Sequence, residues 1–373
     1  MVSFEECMET KMKMKMKGMK SLYEAKELSY YLKKFRISDK ISYSMGERVA
    51  IDPAKIECLK STTRTSIYKL FLRKKMKNYP IILKVYNSTS YRNEVEIQVY
   101  EKAYPILKEF LPQIYYIEKK GTETWIFMEF VQQVRGQITF SPKHLEHIIP
   151  TVAKLHAHTF EDNLKKYKNI WNEWLPIYES SKMRSGRSKY IGRTITFLDD
   201  AVQDDRVSET IKPYHKSLIK LCQKGPDFFP ELFENGSSIT HGDLHMQNIC
   251  SNNVTLDAPW NIQFIDWESI KYGPVWFDMV VLVEILLGFR KDWQSNAEEI
   301  RTHCVNLYTK QMQKNGIEFK TAPIDLYKMA YLQRTLEKGL HTQLRRIFNN
   351  RSGCELLAYH LEKVSIWGEE LGL

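Results

Sequence analysis

The sequence is short of the features that most readily assign a class. No stretch reaches the roughly 18 uninterrupted apolar residues of a membrane helix. The most apolar segment, VWFDMVVLVEILLGF, is interrupted by Asp278 and Glu284, which suits a buried core helix. The N-terminus carries lysines but not the apolar stretch that a secretory signal needs, so a cytoplasmic location is expected. Six cysteines, Cys7, Cys58, Cys222, Cys250, Cys304 and Cys354, lie far apart with no CxxC pair. Their scarcity and spacing argue against a zinc ribbon or a disulfide framework and for reduced thiols. No long internal repeat is present.

What is present is enough apolar material for more than one core. At 373 residues, 43% of them hydrophobic, the chain exceeds what a single core usually fills, so two lobes are expected. A charged fraction of 27% is ordinary for a soluble protein. The formal charge of +10 would serve nucleic acid, anionic lipid or an anionic small molecule and does not choose among them. A solvated basic surface explains it equally well, and no nucleic-acid partner is expected.

Residues 1–20, where Met and Lys alternate, read as a flexible tail, followed by a helix over 21–35. Residues 21–131 then form an N-terminal lobe. KIECLKS, SIYKLFLR and IILKVY read as three successive strands, with the lysine-rich KKMKNYP as the second turn. YRNEVEIQVYEKAYPILKEF reads as a helix, and IYYIEKK and ETWIFMEFV, divided by Gly121, as a further hairpin. Residues 132–373 are mainly helical. In SPKHLEHIIPTVAKLHAHTF the apolar residues recur at helical spacing, with Pro150 expected to kink or interrupt the run. Leu326, Met329, Leu336, Leu340, Leu344 and Ile347 make one face of a helical C-terminal segment.

The chemistry concentrates in SSITHGDLHMQNICSN. His241 and His245 are four apart, as on a zinc-binding helix, but the glutamate of HExxH is missing and Gly242 disfavours a regular helix. Asp243 and Asn248 are five apart, the spacing of aspartate and asparagine in the kinase catalytic loop HRDLxxxN. Asp266 follows at the end of the apolar strand IQFID, and a hairpin between the two segments would bring Asn248 and Asp266 to one edge. Phosphoryl transfer from a triphosphate needs a divalent metal on oxygen ligands and an acceptor for the hydroxyl proton. Asn248 and Asp266 suit Mg2+, Asp243 suits the attacking hydroxyl, and His241 suits a role in pinning the loop. His245 reads as loop filler or a substrate contact.

A nucleotide site is legible around Lys84, a lone lysine in the apolar strand IILKVY. Paired with Glu94 of the next helix, or with Glu96 as the fallback, it would hold the α- and β-phosphates of ATP as the strand lysine does in kinases; otherwise it snorkels from an edge strand. Backbone groups of Glu129, Phe130 and Val131 would bond the adenine edge. The loop over the phosphates, KSTTRTS, has no glycine, so neither a kinase glycine loop nor a Walker P-loop is present. Ser61, Thr62, Thr63 and Ser66 would supply hydroxyls and amides instead.

Together these residues resemble the aminoglycoside phosphotransferase and choline kinase family of small-molecule phosphotransferases. HGDLHMQNI is similar to its HGDxxxxN loop, FIDWES to its magnesium-binding aspartate segment, KYGPVWFDMV to its GxxxxD element, and VAKLHAH to the helix before its substrate-binding insert. The likeness runs from about Ala54 to Phe289. It implies an α+β, two-lobed, protein-kinase-like fold: a small N-terminal antiparallel-sheet lobe, a larger mainly helical C-terminal lobe, and ATP in the cleft. It also implies that Asp278 supports the catalytic loop. The chain departs from the pattern at Met246 and Gln247, where the family commonly has proline and glycine.

The resemblance does not fix the acceptor, which in this family is an aminoglycoside or other antibiotic, choline, a sugar or an amino-acid derivative. In the insert, Trp171, Trp174, Tyr178 and Glu179 read as helix-packing aromatics or contacts to a ring, and the loop with Arg184, Arg187 and Lys189 would suit an anionic or nucleoside-like compound. The expected activity is ATP- and Mg-dependent phosphorylation of a small-molecule hydroxyl, with antibiotic modification as one setting. A catalytically silent kinase-like binding or scaffold protein is the alternative. A protein kinase ranks last, because no DFG, APE or activation-loop signature follows Asp266.

Overall fold

The structure, a computed structural model, describes residues 23–87, 90–255, 258–351 and 355–373. The tail expected at 1–20 lies outside them. The chain divides into two compact units: described residues up to Gln132 together with Gln263–Glu268, and Gln133–Ile262 together with Ser269–Leu373.

The first unit is built on a six-stranded antiparallel sheet. Helices α1 (Ala25–Lys34) and α2 (Ile37–Met45) precede it, separated by Arg36 in the left-handed region at φ 52°. The strands are β1 (Ala50–Ile51), β2 (Glu57–Ser61), β3 (Thr65–Lys74) and β4 (Lys77–Asn87), then, after helix α3 (Tyr91–Gln98), β5 (Ile114–Lys120) and β6 (Glu123–Glu129). Their order is β1-β3-β4-β6-β5, with β2 also on β3. The turn expected over KKMKNYP shrinks to two residues, because Lys74 pairs with Lys77 and Lys75 takes φ 52°. Leu28, Leu32, Ile37 and Ile41 of the two helices pack with Leu70, Leu72, Ile81, Leu83, Val85, Trp125 and Phe127 of the sheet. One face of β4 is thereby sealed, and Ile82, Lys84 and Tyr86 point to the other.

The second unit is mainly helical. Helix α4 (Leu145–His158) runs through Pro150 without interruption and buries Ile148, Ile149, Val152, Leu155 and His156. Helix α5 (Ser181–Gln203) starts at Ser180, whose hydroxyl accepts from Met183 N, and α6 (His215–Lys224) packs on it. Strand β7 (Ser237–Thr240) pairs antiparallel with β8 (Lys271–Pro274). Helix α7 (Trp276–Phe289) is apolar nearly all round and correspondingly buried. Its two carboxylates are both engaged: Glu284 is 2.7 Å from Arg301 Nε and accepts from the Tyr327 and Tyr359 hydroxyls, while Asp278 serves the site described below. Arg301 belongs to α8 (Ala297–Lys314). A continuous helical run follows: α9 (Pro323–Arg334), one π-helical turn at Thr335–Gly339, and α10 (Leu340–Phe348). The π turn rotates the faces of the two helices against each other, so Leu326, Leu336, Leu340, Leu344 and Ile347 are buried while Met329 is half-exposed. Helix α11 (Leu357–Glu370) ends the fold. No described helix is long and apolar enough to cross a membrane.

Candidate active site

In the first unit, Lys84 is 6% exposed and donates to Glu96 Oε1 at 2.7 Å. Its partner is therefore Glu96, and the pairing with Glu94 is corrected: Glu94 lies on the exposed side of α3. Residues 94 and 96 are about 200° apart around a helix, so only one can face the sheet. The same Glu96 oxygen accepts from Tyr100 Oη at 3.0 Å and from Trp267 N at 3.3 Å. Burial by itself would discharge Lys84, yet the Glu96 carboxylate and then Asp266 outweigh it and hold the ammonium above its usual range.

Asp266 lies 3.9 Å from Lys84 Nζ and adopts φ 68°. A non-glycine residue in the left-handed region carries backbone strain, which proteins concentrate at functional positions. Two residues on, Glu268 meets Arg64 at 3.1 Å and Arg92 at 3.2 Å, tying this segment to the β2–β3 turn and to α3. In that turn the Thr62 hydroxyl is consumed internally, accepting from Arg64 N and Thr65 N. Ser61 and Ser66 bond each other at 2.8 Å, and Thr63 is exposed. Glu129 closes β6, its amide donating to Gln113 O at 2.8 Å, and Phe130 and Val131 are half-buried, with Lys69 Nζ 4.8 Å from the Phe130 ring centre.

In the second unit the loop after β7 is suspended from Asp278. Its carboxylate accepts from His241 N at 2.6 Å and Gly242 N at 2.8 Å, and it lies 3.2 Å from His156 Nε2. His156 Nδ1 in turn meets Tyr308 Oη at 2.7 Å. Burial tends to raise the Asp278 pKa, but the bond to His156, the charges of His156 and His241 and the Gly242 amide bring it below the ordinary carboxylate value. Gly242 has φ 80°, and a β-carbon there would stand 2.2 Å from the Ser269 carbonyl oxygen. Only glycine fits the position. His241 Nδ1 accepts from Asp243 N at 3.3 Å, so His241 braces the loop.

Residues Met246–Asn248 form a single 3-10 turn, closed by Asn248 N donating to His245 O at 2.8 Å. Met246 and Gln247, where the resemblance would have proline and glycine, thus complete a regular turn. Asn248 is buried, and its Nδ2 donates to Asp243 O at 2.8 Å. That bond fixes the amide orientation and leaves Oδ1 with no hydrogen bond from a described residue, as a metal-ligating oxygen requires. Asp243 is half-exposed, with Oδ2 3.6 Å from His245 Nε2. Burial would raise its pKa; His245, His241 and Arg334 outweigh that and bring it down to about 2. The group is therefore an ionised acceptor at any physiological pH.

His156 was missed by the sequence reading, although its place on the apolar face of α4, four residues after Val152, was the available signal. The basic loop expected around Arg184, Arg187 and Lys189 is helical instead, within α5, and both arginines bind Asp227, at 2.7 Å and 2.5 Å. Trp171, Trp174 and Tyr178 are buried packing residues.

Among solved structures, an ethanolamine kinase of Plasmodium vivax aligns with a TM-score of 0.51 at 14% identity, over 84% of this chain and 81% of that one. A choline kinase of Cryptosporidium parvum Iowa II aligns with a TM-score of 0.52 at 13% identity, over 85% and 89%. At such identities the likeness is one of fold, and that fold is protein-kinase-like. Comparison with curated proteins finds no match. A sequence model of the ecdysteroid kinase-like family matches residues 50–319, well over half the length, and the chain belongs to that family.

Proposed function

We propose that the protein is an ATP- and Mg-dependent phosphotransferase that phosphorylates a hydroxyl of a small molecule. The observation that carries this reading is the state of the HGD loop: an ionised Asp243 beside an asparagine whose amide nitrogen is locked onto the Asp243 carbonyl, leaving its oxygen without a hydrogen bond from a described residue. Asn248 and Asp266 would hold Mg2+, one as a neutral and one as an anionic oxygen ligand, and the bound ion would neutralise charge on the phosphate oxygens. Lys84, kept charged by Glu96, would bond the α- and β-phosphates. Glu129 to Val131 would meet the adenine edge.

Asp243 at a pKa near 2 is a weak base, which limits what it can do. In a loose phosphoryl-transfer transition state the hydroxyl keeps its proton until bond formation is advanced. Asp243 therefore orients the hydroxyl by accepting its hydrogen bond and takes the proton late.

The test is incubation of purified protein with ATP, Mg2+ and a panel of alcohols, read by mass spectrometry for gain of one phosphoryl group, with Asp243→Asn in parallel. Transfer by the wild type and loss in the variant is the expected result. Nucleotide binding without transfer to any alcohol would favour the silent binding protein, which the glycine-free β2–β3 turn would suit.

A further inference from the structure

One basic group beside the HGD loop has no hydrogen-bond or ion-pair partner among the described residues. Lys271 lies on β8, and a β-carbon placed on Gly242 would stand 3.1 Å from its Nζ. Among the described residues no hydrogen bond or ion pair satisfies that amine. From the other side Arg334, at the end of α9, donates through Nη2 to the Gly242 carbonyl at 3.1 Å, its guanidinium 5.4 Å from the Phe277 ring centre. Two cationic side chains thus flank the residue that precedes Asp243.

The nearby carboxylates are already committed. Glu337, on the π turn after α9, accepts from Tyr178 Oη and from Gln333 Nε2 at 3.3 Å and sits 3.6 Å from Arg187 Nε. Asp278 is held by His156 and two loop amides. Neither is free to neutralise Lys271. The placement of Glu337 and Arg334 on and beside a π turn is a feature often found at functional sites.

We propose that Lys271, with Arg334, forms an anion-accepting subsite next to Asp243, so that the alcohol phosphorylated here carries a carboxylate or phosphate group close to the reacting hydroxyl. This rests on the phosphotransferase reading above and names its acceptor class. The fold's likeness to kinases of choline and ethanolamine would favour a cationic acceptor, whereas two basic side chains beside Gly242, the residue before Asp243, would repel one. The electrostatics agree: burial first, then Arg334 and Lys338, push the Lys271 ammonium down to about 7, against the opposing pull of Glu337 and Asp278. An arriving anion would relieve the uncompensated charge.

The experiment uses the full chain and sets of alcohols that differ at one substituent: carboxylate, phosphate monoester, methyl ester and amine. Two readouts run side by side, mass-spectrometric amine labelling of Lys271 and phosphoryl transfer. The expected result is that an anionic member protects Lys271 from labelling while its methyl ester and amine do not, with at least tenfold higher kcat/KM for that member. Lys271→Met should bring the anion-to-ester ratio of kcat/KM toward unity, and Lys271→Arg should restore it. Protection of Lys271 by no anionic member, or equal protection by ester and amine, overturns the proposal, as does a preference for the amine. Failure of the broader reading shows separately, as absence of Mg-ATP binding in a nucleotide-induced thermal shift.

Discussion

Removing the carboxylate of Glu96 should be among the most costly single changes in the first unit. Lys84 is 6% and Glu96 3% exposed, and Glu96 Oε1 receives three donors, Lys84 Nζ, Tyr100 Oη and Trp267 N. Glu96→Ala leaves the ammonium buried, with Asp266 Oδ1 at 3.9 Å and the more weakly acting Glu268 as the remaining carboxylates that favour its charge. Breaking a buried pair from one side costs about 3–5 kcal/mol. Glu94→Ala, on the exposed side of the same helix, should stay within about 0.5 kcal/mol. Replacing both partners, as in Lys84→Met with Glu96→Gln, should recover part of the loss, because the uncompensated charge disappears with the pair. Denaturant unfolding at pH 7 to 8 reads all four proteins. A lysine whose folded pKa is raised contributes stability that persists through neutral pH and fades only above its unfolded value of about 10.4, so Lys84 adds no slope in that window. A Glu96→Ala loss below about 1 kcal/mol, or an equal loss in Glu94→Ala, would refute the assignment of Glu96 as the partner.

Asp243→Asn should lower kcat roughly 100- to 10,000-fold while Mg-ATP affinity, measured by calorimetry, stays close to wild type. Gly242→Ala puts a carbon 2.2 Å from the Ser269 carbonyl and should cost on the order of 100-fold in turnover through loop displacement, with thermal unfolding as the control for folding. His360 accepts from or donates to Tyr331 Oη at 2.7 Å, and burial lowers its pKa to about 4. Its folded value lies below the unfolded 6.5, so stability should fall as pH drops from about 6.5 toward 4, by about 2–3 kcal/mol, and His360→Gln should flatten that slope in denaturant titrations. Asp278 and Asp243 are also depressed, so the stability they contribute is present above about pH 4 and lost only as pH falls further, which circular dichroism at pH 2 to 5 would resolve.

Much of the fold was legible because hydrophobic period and turn chemistry agree locally. IYYIEKK is β5 from Ile114 to Lys120, and Gly121 turns at φ 57° as the hairpin requires. Where the reading failed, a tertiary contact decided. KKMKNYP read as a turn, yet Lys74 and Lys77 sit on strand ends whose backbones pair, and only Lys75 and Met76 turn. Helix α2, rich in serine, carries a short period in Ile37, Ile41 and Met45, and Ile37 and Ile41 hold it against the sheet. The choice between Glu94 and Glu96 could have been made from spacing. Asn93, Glu96 and Tyr100 fall on one helical stripe, all buried, whereas Glu94 lies on the opposite side and faces water.

Lys271 was beyond any local signal, and the reason bears on how the site is made. In IKYGPVW it is one basic residue among several, indistinguishable from a solvated lysine. Its setting arises because β8 pairs with β7, which brings Lys271 opposite Thr240 and hence beside the HGD loop that leaves β7. The same loop is hung from Asp278 below and touched by Arg334 from a helix more than ninety residues away in sequence. On the proposed reading the motif would specify the reacting groups, while the acceptor would be set by side chains that only the register of two short strands and the end of one helix bring alongside. If so, exchanging Lys271 should alter which alcohol is chosen more than whether ATP is bound, and exchanging Asn248 the reverse.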